Sequence, residues 1–193
     1  MFDIFSSYLK LGFQHIVDLN GFDHILFVIT LCAVYQLTEW RKIAIVITAF
    51  TLGHSITLVL ASLKIIIPNR HLIELLIPIT ILISGVFNLL SGKLKVPSAK
   101  LVVKYSFALF FGLIHGMSFS SFFTDIMGDA TQIIFPLFSF NVGIEFGQFF
   151  VISLYYLLLY LLFRLFKVPY NRVAWFFSVL GILVSLVLIF KRI

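Results

Sequence analysis

The chain has 193 residues, of which 61% are hydrophobic and 11% charged, and its formal net charge is +6. A soluble domain carries roughly 25% charged residues, so a water-soluble core of this length is excluded and the bilayer is the expected solvent. The basic excess does not point to nucleic acid, because Lys and Arg stand at the ends of apolar runs, where they anchor helices and set topology.

Residues 3–19 come before the long apolar runs. Phe5, Tyr8, Leu9, Phe13 and Ile16 share one helical face, which predicts an amphipathic lead-in helix at the membrane interface. Asp3 and the missing basic n-region speak against a cleavable signal peptide. Six stretches then approach the ~20 residues needed to cross a bilayer. They cover about 21–37, 42–63, 72–91, 101–123, 134–163 and 172–190. Turn residues such as Pro68-Asn69 and Val96-Pro97-Ser98 separate some of them. The expected fold is therefore all-α: a polytopic membrane helix bundle of about six transmembrane helices, forming a single domain over 1–193. Cys32 is the one cysteine, so neither an internal disulfide nor a thiolate metal framework is expected.

Most of the 14 basic residues fall on one side of this arrangement: Arg41, Lys42, Lys93, Lys95, Lys100, Lys104, Arg164, Lys167 and Arg172. Lys10, Lys64, Arg70, Lys191 and Arg192 fall on the other, together with the acidic loop of Asp125 and Asp129. The positive-inside rule then places both termini outside the cytoplasm.

An ionisable group at the centre of a span costs ~2.5–3.5 kcal/mol and needs a partner. This chain carries several. The first span opens on Gly21-Phe22-Asp23-His24, with His15 and Asp18 ahead of it. The second holds His54 beside a stripe of Thr48, Thr51 and Ser55. The third opens on His71 and Glu74. The fourth holds His115, and the fifth has Asn141, Glu145 and Gln148 on one face. Gly112 and Gly116 flank His115, and Gly143 and Gly147 flank Glu145. Both are small-xxx-small patterns that permit close helix approach, so the fourth and fifth spans are expected to touch there and to bring His115 and Glu145 together. The strong candidates all fall in the extracytoplasmic half of the membrane, and the cytoplasmic half offers only mild groups such as Thr30, Ser84, Asn88 and Ser153. Neutral imidazole with carboxylate suits Zn, Ni, Co or Fe, and a divalent ion would offset the charge of the buried acids.

Four stretches resemble the HupE/UreJ family of bacterial membrane proteins: Gly21–Phe27, Phe50–Leu58, Phe111–Phe119 and Phe140–Gln148. The resemblance implies a nickel or cobalt permease of the bacterial inner membrane. The expected metal ligands are His24, His54, His115, Asp23 and Glu145, with the metal ion and the bilayer as partners. The family's first-span motif is a His, five residues, then Asp-His. Here seven residues separate His15 from Asp23, so His15 ranks below the other histidines. Glu74, Asp18 and His71 rank as interfacial groups, and Asn141, Gln148 and Ser55 as supporting polar groups rather than direct ligands. The alternative is an intramembrane metal-dependent hydrolase of the zinc type, with Glu145 or Asp23 as general base. No established hydrolase signature accompanies it, and the sequence leans away from an enzyme.

Overall fold

The computed structural model describes residues 2–19, 21–67, 69–90, 98–127 and 134–193, with backbone alone at 98–101, 121–122 and 124–127. The helices are α1 (Phe2–Val17), α2 (Phe22–Cys32), α3 (Trp40–Ser62), α4 (Arg70–Leu90), α5 (Ser98–Met127), α6 (Ile134–Phe166) and α7 (Tyr170–Arg192). A 3-10 turn at Leu37–Glu39 leads into α3, and no strand occurs among the described residues. The expected turns at Pro68 and Val96-Pro97 and the loop acid Asp129 lie outside the described residues.

Among the described residues, five segments are long and apolar enough to cross a bilayer: Leu37–Ser62, Arg70–Leu90, Val102–Ser120, Ile134–Phe166 and Tyr170–Arg192. They match the second to sixth predicted spans. The first does not form as expected. Instead of one helix over 21–37, α2 stops at Cys32 after 11 residues. That is ~17 Å of helix against a hydrocarbon core of ~30 Å. Asp18, Asn20 and Gly21 stand between the apolar stripe of α1 and this run, and α1 and α2 form a pair bent by 74°.

The contacts of this pair show how it crosses. Phe5 of α1 has its ring 6.1 Å from Phe135 at the start of α6. Past the other end of α2, the carbonyl of Tyr35 accepts the Tyr156 hydroxyl from α6 at 2.6 Å. Residues 135 and 156 are ~32 Å apart along α6, about one bilayer core. Counted as one broken span, the pair brings the five spans to six.

The predicted face of α1 exists, but it packs on protein and not on the membrane surface. Phe13 meets Phe150 with ring centroids 5.6 Å apart, and Leu9 and Ile16 lie against Gly143 and Gly147. Its apolar stripe is covered by α6 because glycines there let the two backbones meet.

Three helix pairs form the frame, each with glycine at its crossing. In α1 and α6, Gly12 faces the Phe140 carbonyl and Gly143 the Leu9 carbonyl. In α3 and α5, Gly53 faces the Leu109 carbonyl, Gly112 the Phe50 carbonyl, and Gly116 the backbone of His54. In α4 and α7, Gly85 faces the Ser178 carbonyl. The expected contact between the two small-xxx-small motifs is therefore corrected: Gly112 and Gly116 pack on α3, whereas Gly143 and Gly147 pack on α1. Helices α5 and α6 meet through rings instead, with Phe119 stacked on Phe140 at 4.9 Å.

The end of α2 needs caps because it stops where water is scarce, and unsatisfied carbonyls in hydrocarbon are costly. Tyrosine hydroxyls supply them. Tyr170 donates to the carbonyls of Ala33 (2.6 Å) and Tyr35, and Tyr156 also donates to Tyr35. Replacing both by Phe removes the caps while keeping the rings. The double variant Tyr156→Phe, Tyr170→Phe should lose about 1–2 kcal/mol of stability, read as a lowered thermal midpoint in detergent. An unchanged midpoint would show that these carbonyls are satisfied otherwise.

Candidate metal centre

The break between α1 and α2 sits beside four imidazoles. His15 is in the last turn of α1 and His24 in the first turn of α2. His54 comes from α3 and His115 from α5. Ring centroids are 4.5 Å apart for His15 and His24, 5.8 Å for His15 and His54, and 5.4 Å for His24 and His115. His54 and His115 are fully buried and His24 nearly so. The glycine crossings explain part of the convergence: Gly112 and Gly116 of α5 close on the backbone of α3 at His54.

Buried imidazole nitrogens normally hold hydrogen bonds. Here Nδ1 and Nε2 of both His24 and His54, Nδ1 of His115 and Nε2 of His15 have no hydrogen-bond partner. His24 Nδ1 lies 3.2 Å from Asp23 Oδ1, without the geometry of a hydrogen bond. His115 Nε2 is 3.0 Å from the Thr80 hydroxyl of α4. Two imidazoles sharing one ion at a nitrogen–metal distance of 2.0–2.1 Å place their ring centroids ~5 Å apart. The three pair spacings, 4.5, 5.4 and 5.8 Å, lie around that value. The nitrogens, however, do not point at a common centre: among the described residues, no three His, Cys, Asp or Glu side chains form a metal-holding group.

The carboxylates separate sharply. Asp23 Oδ1 accepts the His24 backbone N–H at 3.0 Å, and Oδ2 lies 3.4 Å from Arg192 of α7. Glu145, expected beside His115, instead accepts the Thr48 hydroxyl at 2.6 Å on the α3–α6 contact. Thr48 precedes His54 by six residues, ~9 Å along α3. The cause is the glycine pairing: α5 packs on α3, so the polar face of α6 is left to bond α3 on its own. Gln148 likewise accepts the Thr51 hydroxyl at 3.0 Å. Asn141 and Ser55 each bond a carbonyl of their own helix. Glu74 pairs with Arg70 at 2.8 Å near the start of α4, and His71 is exposed.

His15 enters the group although its sequence spacing ranked it low. A 74° bend between α1 and α2 makes a linear count between His15 and His24 meaningless. Asp18, His15, Gln14 and Phe119 also line an open cavity of about 650 Å³, of which His15 is the one imidazole on the wall.

Below the histidines lies an aromatic layer. Phe27 is 4.6 Å from His115 and 5.0 Å from Phe50, and Phe50 is 5.2 Å from His115, centroid to centroid. Phe111 joins them at 6.0 Å from Phe27. Beyond this layer a small cavity of about 20 Å³ is lined by Leu31, Ser84, Phe87, Asn88, Lys104 and Phe111, which is room for about one water. Asn88 donates to the Thr30 carbonyl at 2.6 Å and to Ser178 at 3.3 Å. Lys104, counted from sequence as a loop cation, is buried here. Its ammonium lies 5.0 Å from the Tyr35 ring and 5.3 Å from that of Phe87, a cation–π setting beside the C-terminal end of α2, where a positive charge is favoured. Thr30, Ser84 and Asn88 thus gather with Lys104 into one seam, whereas Ser153 stays outside it, exposed and bonded to the Phe149 carbonyl of its own helix.

Against known proteins, the family described as HupE / UreJ protein matches residues 1–192. No curated protein and no solved structure matches the chain. With the family match running over essentially its whole length, this multi-pass membrane chain belongs to the HupE/UreJ family.

Proposed function

We propose that the chain carries a divalent transition-metal ion of the nickel or cobalt type across the bacterial inner membrane. The observation that carries this reading is the convergence of four buried or half-buried imidazoles with unpartnered nitrogens. Ions enter from the extracytoplasmic side, past Asp18 and His15, and both termini lie on that side. His15, His24, His54 and His115 then bind the ion, with Asp23 offsetting its charge. Phe27, Phe50 and Phe111 close the way inward, and a rocking or gating movement must part them. The broken span supports this reading, since transporters place ion sites at discontinuous helices. The polar seam beyond the aromatic layer gives the ion a second side to leave by. A hydrolase would have no use for that seam, so the zinc-type enzyme is the weaker alternative.

Nickel uptake tests the proposal. Cells making the wild-type chain should accumulate Ni²⁺ above cells carrying an empty vector, and His54→Ala should bring uptake back to the vector level. Purified wild-type protein should retain the ion, and the variant should not. Bound metal with uptake indifferent to His54 would sink the permease reading.

A further inference from the structure

We infer that Arg192 is a built-in competitor for the metal ion: its guanidinium and the ion are alternative partners of the Asp23 carboxylate. The inference rests on the proposed metal centre and concerns how that centre is controlled. Arg192 is held by two helices at once. Its Nη1 donates to the Glu74 carbonyl at 2.6 Å, and its Nη2 lies 3.4 Å from Asp23 Oδ2. The first contact has a cause in the sequence. Pro78 sits inside α4 and has no N–H, so the carbonyl four residues earlier, that of Glu74, loses its helical donor. Arg192 fills the gap. A guanidinium with a fixed fork can then reach a second acceptor with its other amino group, and that acceptor is Asp23, the carboxylate next to His24.

Both Asp23 oxygens are thereby engaged, Oδ1 by His24 and Oδ2 by Arg192. A cation arriving among the histidines meets a carboxylate already neutralised. To gain that charge it must detach Nη2, while the Glu74 carbonyl still holds Nη1. Loading then loosens the end of α7 from α2 without expelling Arg192 from the protein. The device sets how tightly an ion is held, and it links occupancy of the centre to the seating of α7.

Calorimetric titration of purified full-length protein with Ni²⁺ tests this, alongside hydrogen exchange over the last turn of α7. Arg192→Gln should bind Ni²⁺ about tenfold more tightly than wild type, because a charge held ~4 Å away no longer competes. Arg192→Lys keeps a cation but not the fork, and should fall between the two. In the wild type, Ni²⁺ should speed exchange at the end of α7, a readout that does not depend on any variant folding. Wild-type binding with no tightening in Arg192→Gln and no change in exchange would overturn the competitor and leave the metal centre standing. No binding by any of the three would overturn both.

Discussion

A methyl group at Gly112 should prevent the chain from accumulating as folded protein. A Cβ there would overlap the Phe50 carbonyl oxygen and approach the His54 amide nitrogen at 3.0 Å. These are backbone atoms of α3, so no side chain can turn aside, and the whole α3–α5 crossing would have to open. Overpacking a rigid core costs about 1–3 kcal/mol and occasionally more. Gly112→Ala belongs at or above the upper end of that range, because α3 and α5 form one of the three pairs that frame the fold. Gly21→Ala is the control. Its nearest neighbour would be His24 Nδ1 at 3.6 Å, an ordinary contact, and its φ of −100° suits an L-residue. Fluorescence-detected gel filtration after heating checks both. A Gly112→Ala protein as stable as Gly21→Ala would mean that the α3–α5 crossing is looser than the geometry says.

The second large effect separates two residues whose ranking reverses between sequence and structure. His15→Ala should weaken Ni²⁺ binding by about 100-fold or more, since even partners that only orient a metal ligand are worth roughly 10–100-fold. Glu145→Gln should leave binding within about threefold, as its carboxylate is bonded to Thr48 and stands apart from the imidazoles. Equilibrium titration of the two purified variants measures both. The opposite order, with Glu145 essential and His15 dispensable, would return the site to the α5–α6 arrangement that the glycine motifs suggest in sequence.

That reversal shows where the sequence stops being legible. Five spans can be read to within a few residues, because crossing a bilayer demands ~20 apolar residues and the chain leaves most of its charges near their ends. The residue types of the site are legible for the same reason. Ionisable groups in hydrocarbon are so costly that their presence marks them, and His24, His54 and His115 stand out with no knowledge of packing. Two kinds of information are absent. A small-xxx-small motif says that a backbone comes close but not whose, so Gly112 and Gly143 suggest each other as partners when their partners are α3 and α1. A hydropathy run also does not reveal a break, so 21–37 reads as a span although α2 ends at Cys32. Asp18, Asn20 and Gly21 were the available signal for the bend between α1 and α2, not for the stop at Cys32, and Tyr156, Tyr170 and Arg192 gave none, since each acts on a backbone group freed elsewhere in the chain.

Composition and polar pattern, then, determined by themselves that this is a membrane helix bundle with imidazoles and carboxylates in its spans. The bend between α1 and α2, the placement of His15 beside His24, the bond of Glu145 to Thr48 and the clasp of Arg192 on Asp23 were decided by tertiary structure alone. The physical reason is one of range. Solvation acts residue by residue and is written along the chain, whereas helix partnership depends on which backbones meet, and glycines on six different helices share that decision.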